Sequence, residues 1–229
     1  MRRRLFVLIL MSVLVAALPT TAVALGFDVE AKAGAGIGLG STDNTSITGA
    51  PRLAADGGVG IDLYLFNLGG VDVGISTGAE YSYLTFHSVW SNFQGLGIDQ
   101  TSDATYNYLD FPIALVCSIP LSSSMRLVAR AGAFIGYFLS GSANLQYPAN
   151  VFGLTSGTTT LDSSNTIQME YGVHATAGAD IDLGGGLSVS PAVQLDLGLT
   201  DTTVNVPGNS FKDTLWSLTA MVGIKYKVL

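Results

Sequence analysis

The 229 residues are 48% hydrophobic and only 12% charged, with 17 acidic side chains against 10 basic ones. Arg2, Arg3 and Arg4 precede an apolar run from Leu5 to Leu18, so the rest of the chain holds seven basic residues against seventeen acidic ones, a formal −10. That balance, with no basic cluster beyond residue 4, excludes nucleic acid as a partner, and the single Cys117 excludes an intramolecular disulfide.

Residues 1–24 read as a secretory signal peptide. The three arginines form the positive segment, the apolar run follows, and Ala22-Val23-Ala24 offers a small-x-small cleavage site before Leu25. The run is shorter than the ~20 residues of a spanning helix. Residues 25–229 then form one exported domain.

The first strand is predicted from Gly26 to Gly40. Phe27, Val29, Ala31, Ala33, Ala35, Ile37 and Leu39 share one face, and Asp28, Glu30, Lys32 and four glycines share the other. A period of two is that of a strand. The pattern recurs from Leu53 to Phe66 (Asp56, Asp62 and Tyr64 on the polar face), Val71 to Tyr83 (Asp72, Glu80) and Tyr106 to Ile119 (Asp110). It continues from Met125 to Leu139 (Arg126, Arg130), Ile167 to Leu183 (Glu170, His174, Thr176, Asp180, Asp182), Leu187 to Leu199 (Asp196) and Thr214 to Leu229 (Lys225, Lys227). The opposite faces are oily and carry no charge. A soluble sandwich would show its charges to water and pack its apolar faces together. Here the expected fold class is all-β: an eight-stranded antiparallel transmembrane β-barrel with lipid outside and polar groups inside.

The connections alternate too. Those after Phe66, Ile119 and Leu183 are tight, whereas Ser41–Arg52, Thr85–Thr105, Ser140–Thr166 and Thr200–Asp213 are longer and polar. Short periplasmic turns and long extracellular loops have this rhythm. Outward Tyr81, Tyr83, Tyr137, Tyr171 and Trp216 fall near the loop ends, and Phe27 and Tyr226 near the turn ends, as two interfacial bands. Pro112 and Pro191 each remove a ladder donor, which predicts a bulge or strained step at both. Cys117 falls on the apolar face as an inert thiol.

Eight strands leave an interior only wide enough for side chains. Asp28, Glu30, Lys32, Asp62, Asp72, Arg126, Asp180, Asp182, Lys225 and Lys227 read as a salt-bridge plug toward the turn end. Further up, Glu80, Asp110, Glu170 and Asp196 have Arg130 as their best-placed cation, with His174 at intermediate depth. This lumen cluster is read as structural, with Arg130 shared and one or two carboxyls protonated by mutual repulsion, or else as cation-attracting.

Three segments carry a family resemblance: Tyr108-Leu109-Asp110-Phe111-Pro112-Ile113, the run from Ala131 to Gly141 (AGAFIGYFLSG), and Leu195-Asp196-Leu197-Gly198-Leu199-Thr200. Together they resemble the small outer-membrane β-barrel domain family that includes PorT-like proteins and is akin to the OmpA/OmpX type. The resemblance implies the barrel fold and supplies no catalytic residues. One departure concerns the end of the chain, Val228-Leu229, where many such barrels carry the outward aromatic that the assembly machinery reads.

These readings imply a non-enzymatic integral protein of the outer membrane of a diderm bacterium, contributing envelope integrity or surface interaction through its loops. The expected partners are outer-membrane lipid, the barrel-assembly machinery and an extracellular or host ligand for a monomeric barrel; no cofactor or metal site is expected. Phe86, Trp90, Phe93, Tyr147 and Phe152 are the loop aromatics a binder would use. An OmpW-like narrow channel for small apolar solutes is the alternative, with Leu84, Phe134 and Phe138 as inward apolar groups. A second alternative is a lipid A-modifying enzyme. It would need His174 or His87 within reach of an accessible hydroxyl, and His174 has Thr176 two residues along.

Overall fold

A computed structural model describes residues 26–148, 154–162, 166–201 and 213–228. The expected signal peptide, Phe152, most of 200–213 and Leu229 lie outside the described residues.

Among the described residues nine strands follow in chain order: β1 Gly26–Thr42, β2 Ile47–Leu68, β3 Val71–Trp90, β4 Gln100–Pro120, β5 Met125–Gln146, β6 Gly157–Leu161, β7 Met169–Gly184, β8 Leu187–Gly198 and β9 Asp213–Lys227. Each pairs antiparallel with its neighbour in the order β1-β2-β3-β4-β5-β7-β8-β9, and β9 returns to β1, so eight strands close into a ring. Among the described residues, closure leaves no free edge where all eight strands run side by side. The ninth strand, β6, is a five-residue addition that pairs with the upper part of β5.

The tight turns have the residues their geometry needs. After β2, Gly69 and Gly70 adopt φ of 62° and 96°, and Asn67 Oδ1 accepts the Gly70 N–H at 2.9 Å. A side chain at either glycine would be strained.

The prolines behave differently from expectation. The β3–β4 ladder lapses opposite Phe111 and Pro112 and resumes in the same register, with Thr77 Oγ1 donating to the Pro112 carbonyl at 2.9 Å. The β7–β8 ladder likewise lapses near Pro191 and resumes unshifted. Register shifts fall instead between Pro51/Ala54, Tyr64/Phe66, Asn107/Tyr108 and Asp182/Gly184. The reason is that a strand N–H points toward one neighbour only, so each proline costs one ladder a donor and leaves the other whole. Pro112 still pairs opposite Phe134 and Pro191 opposite Val222.

β2 to β5 also overrun their predicted ends. β2 begins at Ile47, β3 runs on to Trp90, β4 begins at Gln100 and β5 reaches Gln146. The expected loop Thr85–Thr105 is therefore mostly hairpin, closed through a 3-10 turn at Phe93–Gly95. β7, β8 and β9 are 16, 12 and 15 residues long against 20 to 22 for β2 to β5. One wall of the barrel thus stands above the other and carries β6 at its side.

Candidate functional site: the lumen and the outer wall

The exterior is oily. Val59, Ile113, Tyr171, Val222 and Ile224 each expose 57–59% of their surface, and Leu53, Leu115 and Val193 more than half. The interior is ionic: Asp62, Lys225 and His174 are each 2% exposed and Glu80 4%. A water-soluble fold would reverse this arrangement. From Trp216 to Tyr226 the outward face of β9 spans ten residues, about 34 Å along the strand and roughly 26 Å at the ~40° tilt usual in membrane barrels. That height matches the apolar band of a bilayer-spanning barrel. Tyr81, Leu109 and Tyr137 lie on one hydrogen-bonded line across β3, β4 and β5, so two of the expected band tyrosines stand two strands apart on the outward face.

The lower lumen is crossed by a salt-bridge network, below which a cavity of about 230 Å³ opens among Asp28, Arg126, Asp180, Lys225 and Lys227. Arg130 donates to both oxygens of Asp62 (Nε–Oδ1 3.0 Å, Nη2–Oδ2 2.7 Å) and to Glu30 Oε2 at 2.7 Å. Lys225 Nζ joins Asp62 (3.1 Å) to Asp180 (2.7 Å), and Ser190 Oγ donates to the other Asp180 oxygen. Nearer the mouth Arg126 pairs with Asp72 and lies over the Tyr64 ring. Desolvated charges need this mutual satisfaction.

Arg130 therefore belongs to the lower network, which corrects its assignment to the upper acids. The reason is register. The hydrogen-bonded line from Glu80 runs through Asp110 and Gly136 to Glu170, and Arg130 is six residues further down β5. Six residues are about 20 Å along a strand, beyond the reach of its side chain. Its own line passes through Val116 and Gly74 to Tyr64, two residues from Asp62.

Lys32 moves the opposite way. Expected in the lower plug, it lies on the line Lys32–Gly58–Glu80 and pairs with Glu80 Oε1 at 2.7 Å. Gly58 opens the space between them: a Cβ there would stand 2.9 Å from Glu80 Cγ. Gln194, which sequence reasoning missed, ties the layer together. It accepts from Lys32 Nζ (2.9 Å) and donates to Glu80 Oε2 (3.0 Å) and Asp196 Oδ2 (2.8 Å). Its signal was present, two residues before Asp196 on the same inward face.

His174 Nδ1 lies 2.6 Å from Asp196 Oδ1, and its Nε2 lies 3.1 Å from Thr176 Oγ1. An acid–imidazole–hydroxyl chain has the order of a nucleophilic triad, but His174 and Thr176 are buried at 2% and 5% exposure, facing other side chains. Asp110 Oδ2 accepts from Ser82 Oγ at 2.5 Å, and Glu170 is 4% exposed. Above them Leu84, Tyr106, Tyr108, Phe138 and Leu215 pack as one buried apolar layer, with Tyr108 and Phe138 ring centroids 5.6 Å apart. His87, on the tall wall, pairs with Asp103 at 2.8 Å, and Arg52 reaches the same carboxylate oxygen at 3.5 Å. Among the described residues no set of three His, Cys, Asp or Glu side chains is arranged to hold a metal ion.

No family model matches the sequence, and neither does any curated protein, so the PorT-like resemblance gains no support from either. Solved structures do match. Neisserial surface protein A (NspA) is 10% identical, with 87% of this chain and 96% of that one covered at a TM-score of 0.40. The outer membrane protein OprG from Pseudomonas aeruginosa is 12% identical, with 88% and 95% covered at 0.44. The outer membrane enzyme PagL is 13% identical, with 86% and 97% covered at 0.35. These scores add no weight to the ladder itself, which closes the barrel on its own hydrogen bonds.

Proposed function

We propose that the chain is a non-enzymatic integral β-barrel of the outer membrane of a diderm bacterium, and that it acts through the wall standing above the bilayer. The carrying observation is the pairing of a filled lumen with a tall, polar hairpin wall. Side chains occupy the lumen from the Arg130–Asp62 network to the Tyr106–Tyr108–Phe138 layer. Four strands and β6 continue upward, with Trp90, Phe93 and Tyr147 in edge-to-face contact near the tip. Leu84, Phe134 and Phe138, the groups an apolar channel would use, are buried. That packing supports the surface reading over the channel, and the burial of Thr176 supports it over lipid A chemistry.

Two assays test the proposal together. Planar-bilayer recordings of the purified barrel should show no conductance steps. Cells carrying the full chain should bind an extracellular surface that cells with residues 86–104 replaced by a short turn do not bind, at equal barrel abundance. Discrete conductance steps, or equal binding by the shortened variant, would overturn it.

A further inference from the structure

Five carboxyls face the middle of the lumen from five strands: Asp56 on β2, Glu80 on β3, Asp110 on β4, Glu170 on β7 and Asp196 on β8. Lys32 takes Glu80, and His174 takes Asp196. Among the described residues no ion pair reaches Asp56, Asp110 or Glu170. Asp56 has Ser82 and Thr219 beside it, yet among the described residues neither of its oxygens completes a hydrogen bond.

Asp110, Glu170 and Asp196 line one small cavity of about 10 Å³ with Tyr108, Ser82 and Leu215. Tyr108 is 1% exposed, and among the described residues neither its hydroxyl nor Asp110 Oδ1 has a hydrogen-bond partner. Glycines make the room: Asp110 Oδ1 lies over Gly136 and Glu170 Oε1 over Gly198, where a Cβ would collide with each. The apolar layer closes the space above, and the Lys32–Glu80–Gln194 layer fills the space below. About 10 Å³ admits one water-sized occupant and no hydrated ion.

We infer that this pocket binds protons: Glu170 and Asp110 are held as neutral carboxylic acids, and the protons stand in for cations that the fold does not supply. An ionised carboxylate here would face Asp196, Glu80 and Asp56, with Lys32 and His174 already engaged and Tyr106 and Tyr108 offering only hydroxyls. The neutral acid also gains an O–H donor, which suits the unpartnered Tyr108 oxygen. On unfolding the carboxyls reach water and ionise at neutral pH, so the folded chain holds more protons than the unfolded one. Stability then falls as pH rises through the folded-state ionisation. The inference stands apart from the surface function proposed above.

Infrared spectra of the folded barrel in lipid vesicles provide the test. At neutral pH the wild type should show the C=O stretch of a neutral carboxylic acid. Glu170→Gln and Asp110→Asn should each remove part of it, and the double variant should leave no more than the share of Asp56, which Asp56→Asn would then remove. The urea midpoint of the wild type should fall from neutral to alkaline pH and stay level in the double variant. A wild-type spectrum without the band overturns the inference whether or not the variants fold. So does a midpoint that follows Na⁺ against choline at fixed pH and ionic strength, because the occupant would then be a small cation.

Discussion

Arg130→Ala tests the ionic interior. The side chain is 7% exposed and makes three charge-assisted hydrogen bonds, two to Asp62 and one to Glu30. Its removal leaves Asp62 with Lys225, at 3.1 Å, and leaves Glu30 without the one ion pair it makes in this network. Breaking a buried pair by deleting one partner costs about 3–5 kcal/mol, mostly through the charge left behind. With a urea slope near 2 kcal/mol per molar, the unfolding midpoint should drop by about 1.5–2.5 M. The assay is a urea titration of the vesicle-inserted barrel, read by heat-modifiable gel migration. Arg130→Met combined with Glu30→Gln should recover much of the loss, because the orphaned charge goes with its partner. A single-variant midpoint within about 0.3 M of wild type would refute the reasoning.

Three further outcomes follow from the same geometry. Val222→Arg, at the middle of the outward face of β9, should cost about 2–4 kcal/mol in a bilayer, measured by the same titration. Gly58→Val should separate Lys32 from Glu80, since its Cβ would press on the Glu80 backbone, and should cost about 1–3 kcal/mol in urea unfolding. His174→Ala leaves Asp196 with Gln194 alone and should cost about 1–3 kcal/mol, while binding through the tall wall stays unchanged.

The barrel wall was legible in the sequence wherever the two faces of a strand meet different surroundings. Alternation located β1, β3 up to Tyr83 and β9 to within a few residues. It failed above Tyr83, where the outward positions Thr85 and His87 are polar and the oily side chains Leu84, Phe86 and Trp90 fall on the inward face, so the two faces exchange character. There the backbone ladder persists but the solvent no longer differs from side to side. β6, GTTTL, carries no alternation of burial, being exposed along four of its five residues. The lumen was legible as a set of residues and not as a set of pairs. Counting positions from each turn treats the strands as level, whereas the stagger of a closed sheet slides Arg130 down to Asp62 and lifts Lys32 to Glu80. Tyr108 was visible only within the resemblance motif, since its inward partners come from strands distant in sequence.

Spin labels placed singly at Leu218, Ala220, Val222 and Ile224 of β9, in a Cys117→Ala background and in lipid vesicles, would probe which medium meets the oily face. If that face meets acyl chains, oxygen dissolved in the lipid should relax all four labels and a water-soluble nickel chelate should relax none. Strong relaxation by the chelate at Ala220 and Val222 would put the face in water, and the barrel would not be a membrane protein.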